Sequence, residues 1–239
     1  MGMNIFPLYR DPADTLSELR AVGFGGVDFN YTDYMFSLDL KTSVFDRWLD
    51  ALAVSAAEHE INVYQGHAPC LAPWHSAEQR RILYELTPHA PDGLGIAVEN
   101  GDAGSVRTAE QLLELVAAVD SDRFGVCWDT GHAHLAGVDQ ETEIATLGSQ
   151  LKCLHVQDND GQSDQHLLPF AVRGGIQWDS VVRGIRQAGF AGTFNYEAHN
   201  AFHGRPPASF PVILRHAYAV AKVVLQASCS EGDADGSGI

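Results

Sequence analysis

Four short stretches decide the fold: Ile96-Ala97-Val98-Glu99, Val126-Cys127-Trp128-Asp129, Leu151-Lys152-Cys153-Leu154-His155 and Phe194-Asn195-Tyr196-Glu197. Each is a brief β-type apolar run that ends in a side chain able to hold a metal. They stand in successive strand-helix units, the last lengthened by a loop. In a closed (β/α) barrel the C-terminal ends of the strands gather around one axis, where active sites of that fold lie. In an open doubly wound sheet the same ends would lie in a row. Convergence of four such ends therefore favours the barrel.

Strand-type and helix-type segments alternate on both sides of these stretches. Met3–Leu8, Gly25–Phe29 and Ile61–Tyr64 read as strands ahead of them. Pro12–Val22 carries Leu16, Leu19 and Val22 at helical spacing, and Ser43–His59 carries Phe45, Trp48, Leu49, Leu52 and Ala56 on one face. Further helices are expected over Ala77–Leu86, Ala109–Val119, Glu141–Leu147, Trp178–Ala188 and Phe210–Gln226. Strict alternation implies a parallel sheet with helical crossovers. The reading is an α/β fold, a TIM-type (β/α) barrel with seven strands, lacking one strand-helix unit between residues 70 and 93. One domain covers residues 1–227, and the Gly-, Ser- and Asp-rich tail 228–239 is expected to be disordered.

The composition agrees with a folded enzyme-sized domain. The 239 residues are 45% hydrophobic and 19% charged, enough to bury a full core. Lys+Arg number 15 against 31 Asp+Glu, a formal net charge of -16, which disfavours nucleic-acid partners. No apolar stretch approaches the roughly 20 residues of a membrane span, so no membrane partner is expected. Met1–Arg10 lacks the basic-then-apolar layout of a secretory signal, which favours a cytoplasmic address. Cys70, Cys127, Cys153 and Cys229 form no CxxC pair, and Cys127 and Cys153 read as small buried thiols.

Three carboxylates brought to one point repel one another unless a cation sits among them. A divalent ion held by Glu99, Asp129, His155 and Glu197 resolves the conflict. That oxygen-rich shell with one imidazole suits Mn²⁺ first, with Co²⁺, Mg²⁺ or Zn²⁺ as alternatives. More polar side chains lie in the same loops. His67, His132, Asp164 and His166 are candidates to bind a polyhydroxylated substrate or a second metal. His59, His75, His89, His199, His203 and His216 read as surface or structural, and Phe6, Trp74 and Trp178 as core rather than sugar-stacking residues.

At the level of motifs the chain resembles the sugar phosphate isomerase/epimerase superfamily, the xylose isomerase-like TIM barrels that also include the AP endonuclease family 2 type. The matching stretches are Gly23-Phe24-Gly25-Gly26-Val27-Asp28, Gly66-His67-Ala68-Pro69, Ala97-Val98-Glu99-Asn100, Asp129-Thr130-Gly131-His132-Ala133, His155-Val156-Gln157-Asp158-Asn159-Asp160, Asp164-x-His166 and Tyr196-Glu197, in the family's order. The resemblance implies that Glu99, Asp129, His155 and Glu197 form the metal site and that His132 contacts substrate. Two departures stand out. The family's further strand ending in His-Pro-Gly has no counterpart between His67 and Glu99. Ser105 and Gly161 also stand where the ketose 3-epimerase branch carries Glu and Arg, so the chain is similar rather to generic isomerases and inosose dehydratase-like members.

The expected activity is metal-dependent isomerisation or epimerisation of a ketose, sugar phosphate or inosose. It proceeds by proton abstraction next to a carbonyl through an ene-diolate, with Glu99 and Glu197 as the acid/base pair; dehydration is a related outcome. The alternatives are an AP endonuclease-like phosphodiesterase, which adds His67, Asp164 and His166 as ligands for more zinc, or a non-catalytic member. A small sugar or polyol is the expected partner, and an unclosed barrel edge gives a reason for homo-oligomers.

Overall fold

The computed structural model describes residues 1–5, 12–30, 43–67, 95–101 and 106–227. The expected helix over residues 77–86, the missing strand-helix unit, Phe6, Cys70, Trp74, Ser105 and the tail from residue 228 lie outside the described residues.

The described residues contain seven strands, all parallel to their neighbours: β1 (Gly2–Ile5), β2 (Gly26–Asn30), β3 (Asn62–His67), β4 (Ile96–Glu99), β5 (Phe124–Asp129), β6 (Leu151–His155) and β7 (Asn195–Tyr196). They run in the spatial orders β3-β2-β1-β7 and β4-β5-β6. A parallel bridge between Val156 and Tyr196 joins the two groups, through Val156 N–H to Asn195 O at 2.8 Å and Glu197 N–H to Val156 O at 3.0 Å. The order is therefore that of a barrel, continuous from β4 round to β3. Between β3 and β4 lie residues 68–94, outside the described set.

The helices are α1 (Pro12–Val22), α2 (Ser43–Glu58), α3 (Ala109–Val119), α4 (Thr130–Ala136), α5 (Gln140–Leu147), α6 (Trp178–Gln187) and α7 (Phe210–Ala227). The sequence states the reason for α3 plainly. Thr108 and Gln111 form a reciprocal capping box, and Ala109, Leu112 and Val116 bury one face. All six residues of β5 are buried, as a parallel strand covered on both faces requires. Gly184 lets α6 pack close to α5: a Cβ there would meet Glu141 O at 2.9 Å and Ile144 Cβ at 3.0 Å.

Three expectations need correction. Residues 130–136 form a helix rather than a loop, because Asp129 caps it and Gly137, at φ +69°, ends it. β7 spans only Asn195–Tyr196, since β1 engages it only through Gly2 and Met3. One described segment, Pro207–Gln226, is long and apolar enough to cross a membrane by length and composition, with a mean hydropathy of 1.3. Its Leu214, Ala217, Ala221 and Val224 are nonetheless buried in the core, and Tyr196 Oη donates to Ala217 O at 3.0 Å. Trp178 is a core residue, as expected, with Nε1 pointing at Asp158 Oδ2 at 3.4 Å. Cys127 is a buried free thiol and Cys153 a partly buried one.

Candidate metal centre

Parallel register sets the site's frame. Asp129 is paired with His155 at the ends of β5 and β6, and Glu99 with Cys127 on β4 and β5. Glu197 follows β7 directly and is held by the bridge to Val156. One ligand-type atom from each of Glu99, Asp129, His155 and Glu197 lies within 4.8 Å of the others. His155 Nδ1 stands 2.9 Å from Glu99 Oε1 and 3.0 Å from Glu197 Oε2.

Asp129 divides its carboxylate between two tasks. Oδ1 accepts from His132 N–H at 2.6 Å, which caps α4, and from Gln157 Nε2 at 3.3 Å. Oδ2 is buried and has no hydrogen-bond partner among the described residues. Burial, with the added repulsion of Glu99 and Glu197, pushes the Asp129 carboxyl up to about 7. Burial opposes the imidazolium of His155, but Glu197 and Glu99 outweigh it and hold His155 well above the usual imidazole range. Glu197 is also fully buried; His155 overcomes that burial and keeps its carboxyl below the usual range. A carboxylate oxygen left without a partner and a cluster that retains protons mark a place where positive charge is lacking. The donor set of three carboxylates and one imidazole fits a divalent cation.

A second cluster lies alongside. His132, Asp164 and His166 also bring ligand-type atoms within 4.8 Å of one another. Here positive charge is already present. His132 Nδ1–H donates to Asn100 O at 2.9 Å and its Nε2 lies 3.4 Å from Asp164 Oδ2. His166 Nδ1–H donates to Glu197 O at 2.9 Å and Nε2–H to Asp164 Oδ2 at 2.8 Å. Both rings face acceptors at both nitrogens, the arrangement of an imidazolium. Against the cost of burial, Asp129 and Asp164 push His132 up to about 11, and Asp164 and Glu197 push His166 up to about 9. Both histidines in turn hold Asp164 far below the usual carboxylate range despite its partial burial.

His67 reaches the first cluster from β3. Its Nε2 lies 3.1 Å from His155 Nε2, 3.2 Å from Asp28 Oδ2 and 3.5 Å from Glu197 Oε1. All eight residues singled out from the sequence thus fall in one neighbourhood.

Four further residues of the neighbourhood were not singled out as site residues from the sequence. Asn100 pairs with the Asp129 backbone. Gln157 donates to Asp129 and to Asp164 Oδ1, the latter at 2.6 Å, and accepts from His166 N–H at 3.2 Å, so it ties the two clusters together. Asp28 is completely buried beside His67. His199, read as surface or structural, packs its ring 4.2 Å from that of His166; burial and the neighbouring His166 charge press it down to about 4.

The sequence model of the xylose isomerase-like TIM barrel matches residues 45–211. The chain belongs to that family. Among solved structures, a D-psicose 3-epimerase from Clostridium cellulolyticum H10, crystallised with D-tagatose, superposes with a TM-score of 0.71 over 94% of this chain and 99% of its own, at 14% identity. A xylose isomerase from Rhodospirillum rubrum, so named provisionally, gives 0.70 over 95% and 98% at 18% identity. The IolI protein, crystallised with a zinc atom, gives 0.62 over 96% and 98% at 16% identity. At these identities the family's fold is what is shared. A protein named y4fM from Sinorhizobium fredii is 34% identical over 132 residues, 51% of this chain and 42% of its own length. The match thus spans well under half of that longer relative.

Proposed function

We propose that this family member is a divalent-metal-dependent isomerase or epimerase that moves a proton next to the carbonyl of a ketose, sugar phosphate or inosose. One observation carries the reading: Glu99, Asp129, His155 and Glu197 converge with more carboxylate than imidazole, and Asp129 Oδ2 lacks a partner among the described residues. The folds shared with D-psicose 3-epimerase and L-ribulose 3-epimerase support the substrate class.

Glu99, Asp129, His155 and Glu197 would hold the ion. A bound Mn²⁺, Co²⁺, Mg²⁺ or Zn²⁺ supplies Lewis-acid polarisation of a carbonyl, worth several kcal/mol in the transition state. The chain's own residues do the rest. Glu197, kept ionised in a buried setting, is placed to accept a proton at a carboxylate oxygen. Glu99 is the more open of the two acids, with a side chain 30% exposed, and it faces His155 and His132. It is placed to return the proton from another direction. A positioned general base contributes about 10²- to 10⁴-fold. His132 and His166, whose ring nitrogens are taken up by Asn100 O, Glu197 O and Asp164, place positive charge beside the metal cluster, where it would favour substrate oxygens.

The His132–Asp164–His166 cluster favours one second reading, a phosphodiesterase that loads more than one metal. The two imidazolium groups already in it and the overall charge of -16 weigh against that reading. An activity screen across ketoses and inososes with Mn²⁺ or Co²⁺, read by chromatography, tests the proposal. Conversion of at least one such sugar is expected. Cleavage of an abasic duplex, with no sugar turned over, would replace it with the alternative.

A further inference from the structure

Cys127 and Cys153 take no part in the chemistry above, and both are free thiols. They are register partners on β5 and β6, two positions before Asp129 and His155, which are themselves paired. Side chains alternate along a strand, so each cysteine shares the face of the site residue that follows it. Both sulfurs therefore point into the barrel beneath the cluster. Trp128 and Leu154, between the two pairs, are fully buried on the opposite face.

The backbone holds these cysteines at a bondable separation. Neighbouring strands lie about 4.8 Å apart, inside the roughly 4.4–6.8 Å between Cα atoms that a disulfide spans. The break in register between β5 and β6 falls ahead of the pair, between Val126 and Cys127, so the cysteines stand directly opposite one another. Their side chains touch: the Cys127 thiol donates a hydrogen bond to the Cys153 sulfur. The two differ in access. Cys127 is buried and Cys153 only partly so. A more accessible thiol meets an oxidant first, and a second thiol in contact with it can resolve the product.

We propose that Cys127 and Cys153 form a reversible dithiol–disulfide site whose oxidant is a hydroperoxide. One peroxide oxygen bonds to the Cys153 sulfur as the O–O bond breaks, which gives a sulfenic acid and releases water or an alcohol. The Cys127 sulfur then attacks that sulfur. The S–S bond forms, the S–O bond breaks, and the oxygen leaves as water with the Cys127 proton. Together the thiols lose two hydrogens and two electrons, which reduce the peroxide. A dithiol reductant restores both thiols by exchange. The site stands whether or not the cluster above it holds an ion.

The test treats the folded full-length chain, stripped of metal by a chelator, with hydrogen peroxide. Remaining thiols are alkylated and the chain is mapped by tryptic peptide mass. Cleavage after Arg123, Lys152 and Arg173 puts the two cysteines on separate peptides. The expected product is one linked pair joining Cys127 to Cys153, lighter by two hydrogens than the reduced peptides together and absent after dithiothreitol. Cys127→Ala is expected to stop at a sulfenic acid on Cys153, trapped by dimedone. The proposal is overturned if both cysteines stay open to alkylation after peroxide. It is equally overturned if Cys153 runs on to sulfinic acid with Cys127 free, or if either is linked to Cys70 or Cys229 instead. Should Cys127→Ala fail to fold, the wild-type linkage map decides alone.

Discussion

The side chain of Asn100 grips the backbone of Asp129 at both edges: Oδ1 accepts from Asp129 N–H at 2.6 Å, and Nδ2 donates to Asp129 O at 2.9 Å. Both residues are fully buried. The pair locks the end of β4 to the end of β5, and thereby sets Glu99 against Asp129. Asn100→Ala would take a side-chain partner from each of two buried backbone groups. The expected cost is about 1–3 kcal/mol for each unsatisfied group, read as a lower midpoint in urea. Asn100→Asp should fare no better, because it presents an oxygen to a carbonyl.

Gln157 offers a second handle, through a glycine. A Cβ at Gly131 would meet Gln157 Oε1 and Cδ at 2.2 Å. Gln157 is completely buried and bonded to Asp129, Asp164 and His166, so it cannot retreat without breaking one of those links. Gly131→Ala is expected to destabilise the chain by about 1–3 kcal/mol. It should also weaken metal affinity, because Asp129 loses a partner at Oδ1. Calorimetric metal titration of the folded variant reads the second effect separately from the first.

Metal affinity should depend on pH with a definite sign. In the cation-free cluster Asp129 is pushed up to about 7 and His155 lies well above its ordinary range, so both bind protons that an ion must displace. Affinity for Mn²⁺ is therefore expected to fall steadily as pH drops below about 7, and binding near neutrality should release protons. Calorimetry in buffers of different ionisation enthalpy counts those protons. Affinity flat from pH 5 to pH 8 would contradict the protonation assigned to Asp129 and His155.

Glu197→Gln separates chemistry from folding. The variant removes a buried anion next to His155 and leaves the side chain's volume in place. Turnover of whichever sugar the wild type converts is expected to fall by about 10²-fold or more, with the circular dichroism spectrum retained. A variant that turns over normally would sink the acid/base role of Glu197.

Much of this was legible in the sequence, for physical reasons that can be named. α1 and α3 have the bounds that apolar spacing and capping residues indicate, Pro12–Val22 and Ala109–Val119. Glu99, Asp129, His155 and Glu197 were readable because each charge follows an apolar run that must be buried. Asp28 was not, since a polar residue within Gly26–Asn30 reads as the outward side of an alternating strand. Asn100 and Gln157 carry no charge and so gave no sign that they organise the site. Helix α4 was hidden because Thr-Gly-His is poor helix sequence, and only its cap at Asp129 betrays it. His199 follows β7 by a few residues and reaches His166 through tertiary packing that no local pattern reports.

The most direct test of the central claim is anomalous diffraction from crystals of the full chain soaked in Mn²⁺. The account predicts one strong peak within about 2.0–2.6 Å of ligand atoms from Glu99, Asp129, His155 and Glu197 together. A peak bound elsewhere, or none at this cluster at saturating Mn²⁺, would contradict it.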